Sequence, residues 1–188
     1  MNMENKPVSV WKGTLNPAIM LGFVLILYTL ILYFLDQTFN RKLGWISFII
    51  IIAGVAYGIK VFRDDSRSGI LSYGQGVGAG TIIGLYAGVI MAVFGIILYT
   101  VIDPDLINKM HTFMEEQMIS QGRLSDAMIE QQMRFMKKLM TPITINLFGI
   151  LNYVFYGVLV ALIASIFLKR EGDGFQKAMA EVEDQPAE

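Results

Sequence analysis

Residues 76 to 102 read GVGAGTIIGLYAGVIMAVFGIILYTVI, an apolar stretch that opens with glycine at every fourth position. On an α-helix that spacing places four residues on one stripe: Gly76, Gly80, Gly84 and Gly88. In water, each of these glycines would cost a helix about 1 kcal/mol relative to alanine. In a membrane the helical backbone has no partner but itself, and a bare stripe lets a second helix approach closely. The stretch therefore predicts a membrane helix within a tightly packed helical core.

Composition and three further apolar runs predict the same class of protein. Charged residues make up 16% of the chain and hydrophobic residues 54%, whereas ordinary soluble domains are about 25% charged. The mean hydropathy is +0.53. Crossing the hydrocarbon core takes about 20 residues, and four runs are long enough: roughly 17–35, 43–62, 77–102 and 143–168. We therefore predict an all-α integral membrane protein with four transmembrane helices in a bundle.

The link between the third and fourth spans, residues 103–142, is the only long one, at 40 residues. Asp103 followed by Pro104 predicts a helix start capped by Asp103, and Gly122 predicts a turn into a second helix. Seven apolar residues form the stripe of this amphipathic hairpin: Met110, Met114, Met118, Ile129, Met133, Met136 and Met140. We expect the hairpin to lie on the membrane or just above it. Residues 1–170 then form one domain, and the acidic tail 171–188 is predicted to be disordered.

Small residues at four-residue spacing recur on two other spans. Gly54 and Gly58 lie on the second span, and Gly157, Ala161 and Ser165 lie on the fourth. Such faces let helix backbones approach each other in a membrane. They predict packing within the bundle. The alternative is contact with a second copy or with another membrane protein.

The sequence offers little for catalysis or metal chemistry. Cysteine is absent, which excludes disulfides, thiolate metal sites and cysteine nucleophiles. The three methionines of the first hairpin helix could join His111 in a Cu(I) site, but they already complete the apolar stripe of that helix. We predict no catalytic residue, no cofactor and no metal. The expected partners are the lipid bilayer and another membrane protein or a second copy, with no nucleic acid.

Two other functions stay open beside a binding role. An oligomeric small transporter or channel would line a polar path with Thr81, Asn152 and Ser165, although the spans carry no ionisable group in their middle. A lipid-acting membrane enzyme would use Asp103, Asp105 and His111 at the interface.

Four spans put both termini on one side of the membrane. That side carries eight Lys and Arg residues and the other carries seven. The first group lies mostly at span ends, where positive charge fixes orientation, so cytoplasmic termini are favoured.

Three short motifs resemble those of a known family. They are Phe62-Arg63-Asp64, the run GILSYGQ at 69–75, and IDPD at 102–105. With the four spans, they look like a domain-of-unknown-function family of small four-pass inner-membrane proteins of Gram-negative bacteria, over roughly residues 15–170. The resemblance implies the helix layout and a bacterial inner membrane, and it supplies no activity and no site residues.

Taken together, these features predict a non-enzymatic accessory or assembly subunit of a cell-envelope complex. It would bind through its glycine-lined helix faces and its methionine-rich hairpin.

Overall fold

The computed structural model describes residues 8–122 and 124–170, and the regular structure in those ranges is helical. The predicted acidic tail, 171–188, lies outside the described residues. In chain order the helices are α1 (Val10–Gly13), α2 (Leu15–Phe34), α3 (Arg41–Ser66), α4 (Tyr73–Ile97), α5 (Leu106–Gln121), α6 (Asp126–Leu139) and α7 (Pro142–Leu168). A π-helical turn, Leu98–Ile102, extends α4.

Four helices are long and apolar enough to cross a membrane. They are Val10–Phe34, which joins α1 to α2, Arg41–Ser66, Tyr73–Ile102 and Pro142–Leu168. The predicted class, with four transmembrane helices and a helical hairpin between the third and fourth, is confirmed. The chain is a multi-pass membrane protein.

Local sequence sets the starts of three of these helices. Ser72 and Gln75 form a reciprocal capping box at the start of α4, and Thr141 and Thr144 form one at α7, where Pro142 occupies the first turn. The side chain of Asn40 accepts a hydrogen bond from the Lys42 amide at the start of α3. These caps satisfy amides that the first helical turn leaves unpaired.

The centre of the bundle is α4, which packs most extensively on α7 and also contacts α2 and α3. Its glycine and alanine stripe is buried, as are the facing residues of its neighbours, including Val55, Ile59 and Ala161. Large apolar side chains cover the outside of the bundle, for example Phe23 at 59% exposure and Phe167 at 81%. That distribution suits a bundle whose solvent is lipid.

One end of the bundle is tied together by backbone hydrogen bonds. Leu71 and Arg170 exchange two N–H···O bonds of 2.9 and 3.0 Å. The guanidinium of Arg63 donates to the Leu168 carbonyl at 3.3 Å. The end of α7 is therefore fixed to the turn that precedes α4.

At the opposite end, the hairpin of α5 and α6 starts differently from the prediction. Asp105, not Asp103, stands at the N-cap position of α5, and its side chain makes no capping bond. The Asp103 carboxylate instead accepts the Asp105 amide at 3.1 Å. Asp103 thus forms a side-chain turn ahead of the helix rather than its cap.

Candidate interaction surfaces

Gly84 and Gly157 mark the closest approach of α4 and α7. A Cβ atom at Gly84 would lie 2.6 Å from the Tyr153 carbonyl oxygen and 3.1 Å from the Gly157 Cα. A Cβ atom at Gly157 would lie 2.7 Å from the Gly80 carbonyl oxygen. Both obstacles are backbone atoms, which cannot rotate away. The two helices could not come this close with any side chain at either position.

The other glycines of the α4 stripe follow the same antiparallel register. Gly76 faces Ser165, Gly80 faces Ala161, and Gly88 faces Ile150 and Tyr153, with its Cβ position 3.1 Å from Tyr153 Cβ. On α3, Gly54 faces Leu21 of α2, and Gly58 faces Ile83 of α4 at 2.6 Å. All nine small residues singled out in the sequence therefore lie at contacts within one chain. Their contribution to packing stays a prediction, which substitution at Gly84 tests.

The hairpin buries a somewhat different face from the predicted one. On α6, Ile129 and Met133 are buried, and Met136 and Met140 are half-buried, in line with the predicted stripe. On α5, the buried residues are Leu106 and His111, whereas Met110, Met114 and Met118 are only half-buried. The rotation of α5 is set by its attachments: Phe113 stacks on Phe39, with ring centroids 5.3 Å apart. Those long-range contacts are invisible to helical periodicity.

A second apolar stripe runs along α6 and is exposed. Met128, Phe135 and Leu139 expose 50%, 64% and 47% of their surface, at spacings of seven and four residues that keep them on one side of the helix. Met128, Phe135 and Met136 line a surface groove with Gln131 and Gln132, with a volume of about 530 Å³. We call Met128, Phe135 and Leu139 the outer stripe. The sequence analysis did not predict the outer stripe, although the spacing of its residues is helical.

Asp103 and Lys109 anchor the hairpin to the bundle. The Lys109 ammonium donates to the Asp103 carboxylate at 2.8 Å, and the Tyr33 hydroxyl of α2 donates to the same oxygen at 3.4 Å. The bond from Lys109 lowers the pKa of Asp103 and raises the pKa of Lys109. The carboxylate therefore stays ionised and fixed, a structural role that leaves it poorly placed as a general acid.

His111 is a buried imidazole inside the hairpin. It is 8% exposed, and its Nε2 atom has no hydrogen-bond partner among the described residues. Burial lowers the pKa of His111, and the nearby Lys137 lowers it further. Both effects disfavour the protonated form in the folded hairpin.

That environment predicts a hairpin that loosens in mild acid. Because the folded pKa of His111 lies below the ordinary 6.5, its contribution to stability is lost as pH falls from about 6.5 towards the folded value. Amide hydrogen-exchange protection factors for α5 and α6 should drop between pH 7.5 and 5.5, by at most tenfold for each pH unit. In the His111→Gln variant the protection factors should not change over this pH range. An equal drop in both proteins would assign the effect to another group.

The residues proposed for a transport path do not meet. Asn152 is exposed on the α3 side of α7, whereas Ser165 is buried against Gly76. The two lie about 20 Å apart along α7 at 1.5 Å per residue. The Thr81 hydroxyl donates to the Val77 carbonyl at 2.8 Å. These three groups form no continuous polar lining.

The proposed catalytic and copper groups are also dispersed. The Asp103 carboxylate is engaged by Lys109, the Asp105 carboxylate accepts from the Asn108 amide at 2.9 Å, and His111 is enclosed. Over 8–122 and 124–170, no cluster of three or more His, Asp or Glu side chains is placed to hold a metal. Met110, Met114 and Met118 are half-buried, beside the buried face of α5 that carries His111.

A groove and a cavity lie in the part of the bundle that the structure describes. A groove of about 680 Å³ runs between the first half of α3 and the middle of α7, and Asn152 lies in it. A smaller cavity of about 180 Å³ lies between α2, α4 and α7 beside Asn146, whose amide nitrogen donates to the Pro142 carbonyl at 2.7 Å. Gly149 and Tyr153 line both hollows. No sequence motif indicated the groove, since its walls are about 100 residues apart in the chain.

Comparison with family models gives a match over most of the chain. The model of a family described as protein of unknown function (DUF4199) matches residues 17–170. No curated protein and no solved structure matches the chain.

Proposed function

Since this chain belongs to the DUF4199 family, whose description names no activity, we propose from its geometry that it is a non-enzymatic accessory or assembly subunit of a cell-envelope complex. The bundle anchors the protein in the membrane. The α5–α6 hairpin is the part that binds the partner, which we propose to be another membrane protein.

The exposed outer stripe carries this proposal. Phe135 exposes 64% of its surface and lies with Met128 and Met136 on a groove outside the spans. Methionine-rich surfaces adapt to partner shapes, and exposed aromatic side chains are typical anchors of interfaces. The glycine stripe of α4 is covered by α7 of the same chain. A partner surface on the hairpin is therefore favoured over one on the glycine faces.

We also propose a bacterial inner membrane with cytoplasmic termini. The turn after α3 and the end of α7 lie together, because Leu71 bonds to Arg170. Positive residues gather at that end of the bundle: Lys60, Arg63, Arg67, Lys169 and Arg170. Such clusters at span ends face the cytoplasm in most membrane proteins. At the C-terminus, a fused reporter that is active only in the cytoplasm should be active, and one that is active only outside the cytoplasm should be inactive.

Photo-crosslinking tests the hairpin surface. A benzophenone amino acid placed at Phe135 should crosslink to one membrane protein in cells that express the native complex. The same residue at Phe167, which is 81% exposed on α7, should react with lipid alone. Equal protein adducts at the two positions would argue against a dedicated hairpin surface.

The double substitution Met128→Glu and Phe135→Glu provides the second test. Both side chains are half exposed or more, so the fold should survive, while two carboxylates would oppose an apolar contact. The mass of the intact complex in gentle detergent should fall by the mass of the partner. If wild-type protein has the mass of the chain alone, the accessory-subunit proposal fails.

A further inference from the structure

The groove between α3 and α7 lies within two of the spans. Its walls come from residues 41–51 of α3 and 148–156 of α7. At that depth the surrounding solvent is lipid. The volume of about 680 Å³ is within the range of pockets that enclose small ligands.

Aromatic side chains from both helices line the groove. Trp45 packs edge-on against Phe48, with ring centroids 6.2 Å apart, and Phe48 packs edge-on against Tyr156 at 5.1 Å. Gly44 and Gly149 line the same groove, and a Cβ at either position would have no atom within 4 Å. The groove is therefore open at both glycines and lined by aromatic rings, which suits a hydrocarbon chain.

Arg41 provides the charge at one end. It is the first residue of α3, it is exposed, and it lines the groove. No carboxylate of the residues that the structure describes lies within 4 Å of its guanidinium. Its position at a span boundary is the depth of lipid phosphates. Arginine binds phosphate through paired N–H donors, and basic pockets between transmembrane helices hold anionic headgroups.

We propose that this groove binds one anionic phospholipid of the bilayer, with its phosphate on Arg41 and an acyl chain along Trp45 and Phe48. The charge favours this occupant over a second copy of the chain. An apolar helix in the groove would offer the guanidinium of Arg41 no counter-charge, whereas a lipid phosphate lies at its depth. The neutral polar groups of Ser47 and Asn152 lie on the same groove and are available to the ester region of a lipid.

Trp45 reports on the occupant directly. The chain has two tryptophans, so Trp11→Phe leaves Trp45 as the single fluorophore. The protein would be reconstituted in phosphatidylcholine vesicles that contain increasing fractions of phosphatidylglycerol with brominated chains. Bromine quenches tryptophan at contact. Quenching of Trp45 should exceed the bulk fraction of brominated lipid, with a selectivity of about fivefold, the factor that one cation near the surface supplies.

Neighbouring residues give matched controls. Arg41→Gln should bring the selectivity to about onefold. Lys42→Gln removes one positive charge at the next residue, which does not line the groove. This variant should keep most of the selectivity. Gly44→Leu should reduce quenching by filling the groove. Gly74 is also exposed, and a Cβ there would have no atom within 4 Å. Gly74→Leu should therefore leave the quenching unchanged.

Three results would overturn the proposal. One is quenching in proportion to the bulk fraction of brominated lipid. The second is an equal effect of Arg41→Gln and Lys42→Gln, which would mean general surface attraction. The third is quenching below the bulk fraction, which would mean that protein covers the groove. Helical content and thermal unfolding of each variant establish that the bundle is intact. If Arg41→Gln fails to fold, Arg41→Lys provides the same comparison, with reduced selectivity expected.

Discussion

Replacing Gly84 with leucine is expected to separate α4 from α7 and to lower the free energy of unfolding by more than about 3 kcal/mol. The first added carbon would already lie 2.6 Å from the Tyr153 carbonyl oxygen and 3.1 Å from the Gly157 Cα. Overpacking usually costs about 1–3 kcal/mol where side chains can shift. Here the obstacle is backbone, so the helices must move apart along the largest contact in the bundle.

Unfolding in mixed micelles of a mild detergent and dodecyl sulfate measures this loss. Gly78→Leu is the matched control, because it makes the same change on the same helix at a position with no atom within 4 Å of a Cβ. Gly78→Leu should leave the dodecyl sulfate fraction at the unfolding midpoint unchanged or raise it, because leucine has a higher helix propensity than glycine. If Gly84→Leu matches the wild-type protein, the helices do not pack at this register.

Truncating Phe62 to alanine should lower the free energy of unfolding by about 2–4 kcal/mol. Phe62 is fully buried, and Arg67 lies over its ring with the guanidinium carbon 5.4 Å from the centroid. In a membrane the transfer of apolar surface from water contributes little, so the loss comes from the cavity and from the contact with Arg67.

Phe167→Ala controls for the change of residue type. Phe167 is 81% exposed on α7, where lipid fills the space of the removed ring. The same unfolding measurement should give a change within about 0.5 kcal/mol of wild type. Similar losses at the two positions would contradict the burial of Phe62.

The spans and the hairpin could be predicted because their signals are local. Length and apolarity define a span, and Gly122, with φ at +61°, marks the hairpin turn as its lack of a side chain suggests. The faces of small residues on three spans could also be predicted from their four-residue spacing. Their partners were not, because four-residue spacing fits any neighbour: the α4 glycines meet α7, whereas Gly54 and Gly58 receive side chains from α2 and α4.

The candidate sites were less predictable for a related reason. The groove joins Arg41 to residues about 100 positions away, so only the pairing of α3 with α7 creates it. The burial of His111 in place of Met110 depends on how α5 is attached, through Phe39 and Asp103. The N-cap position of α5 lies at Asp105 and not at Asp103, two residues later than the sequence predicts, and it follows a π-helical turn, which has no periodic signal.

The pairing of Gly84 with Gly157 also has a consequence for biosynthesis. About 70 residues separate the two glycines, and chains elongate at about 5–20 residues per second. The nascent α4 therefore waits about 4–14 s in the membrane before its partner is made. During that delay its bare stripe is open to other helices. If a ribosome stalls within the hairpin, the released chain contains α4 without α7 and exposes the glycine stripe. Such a chain would be a substrate for membrane chaperones and quality-control proteases.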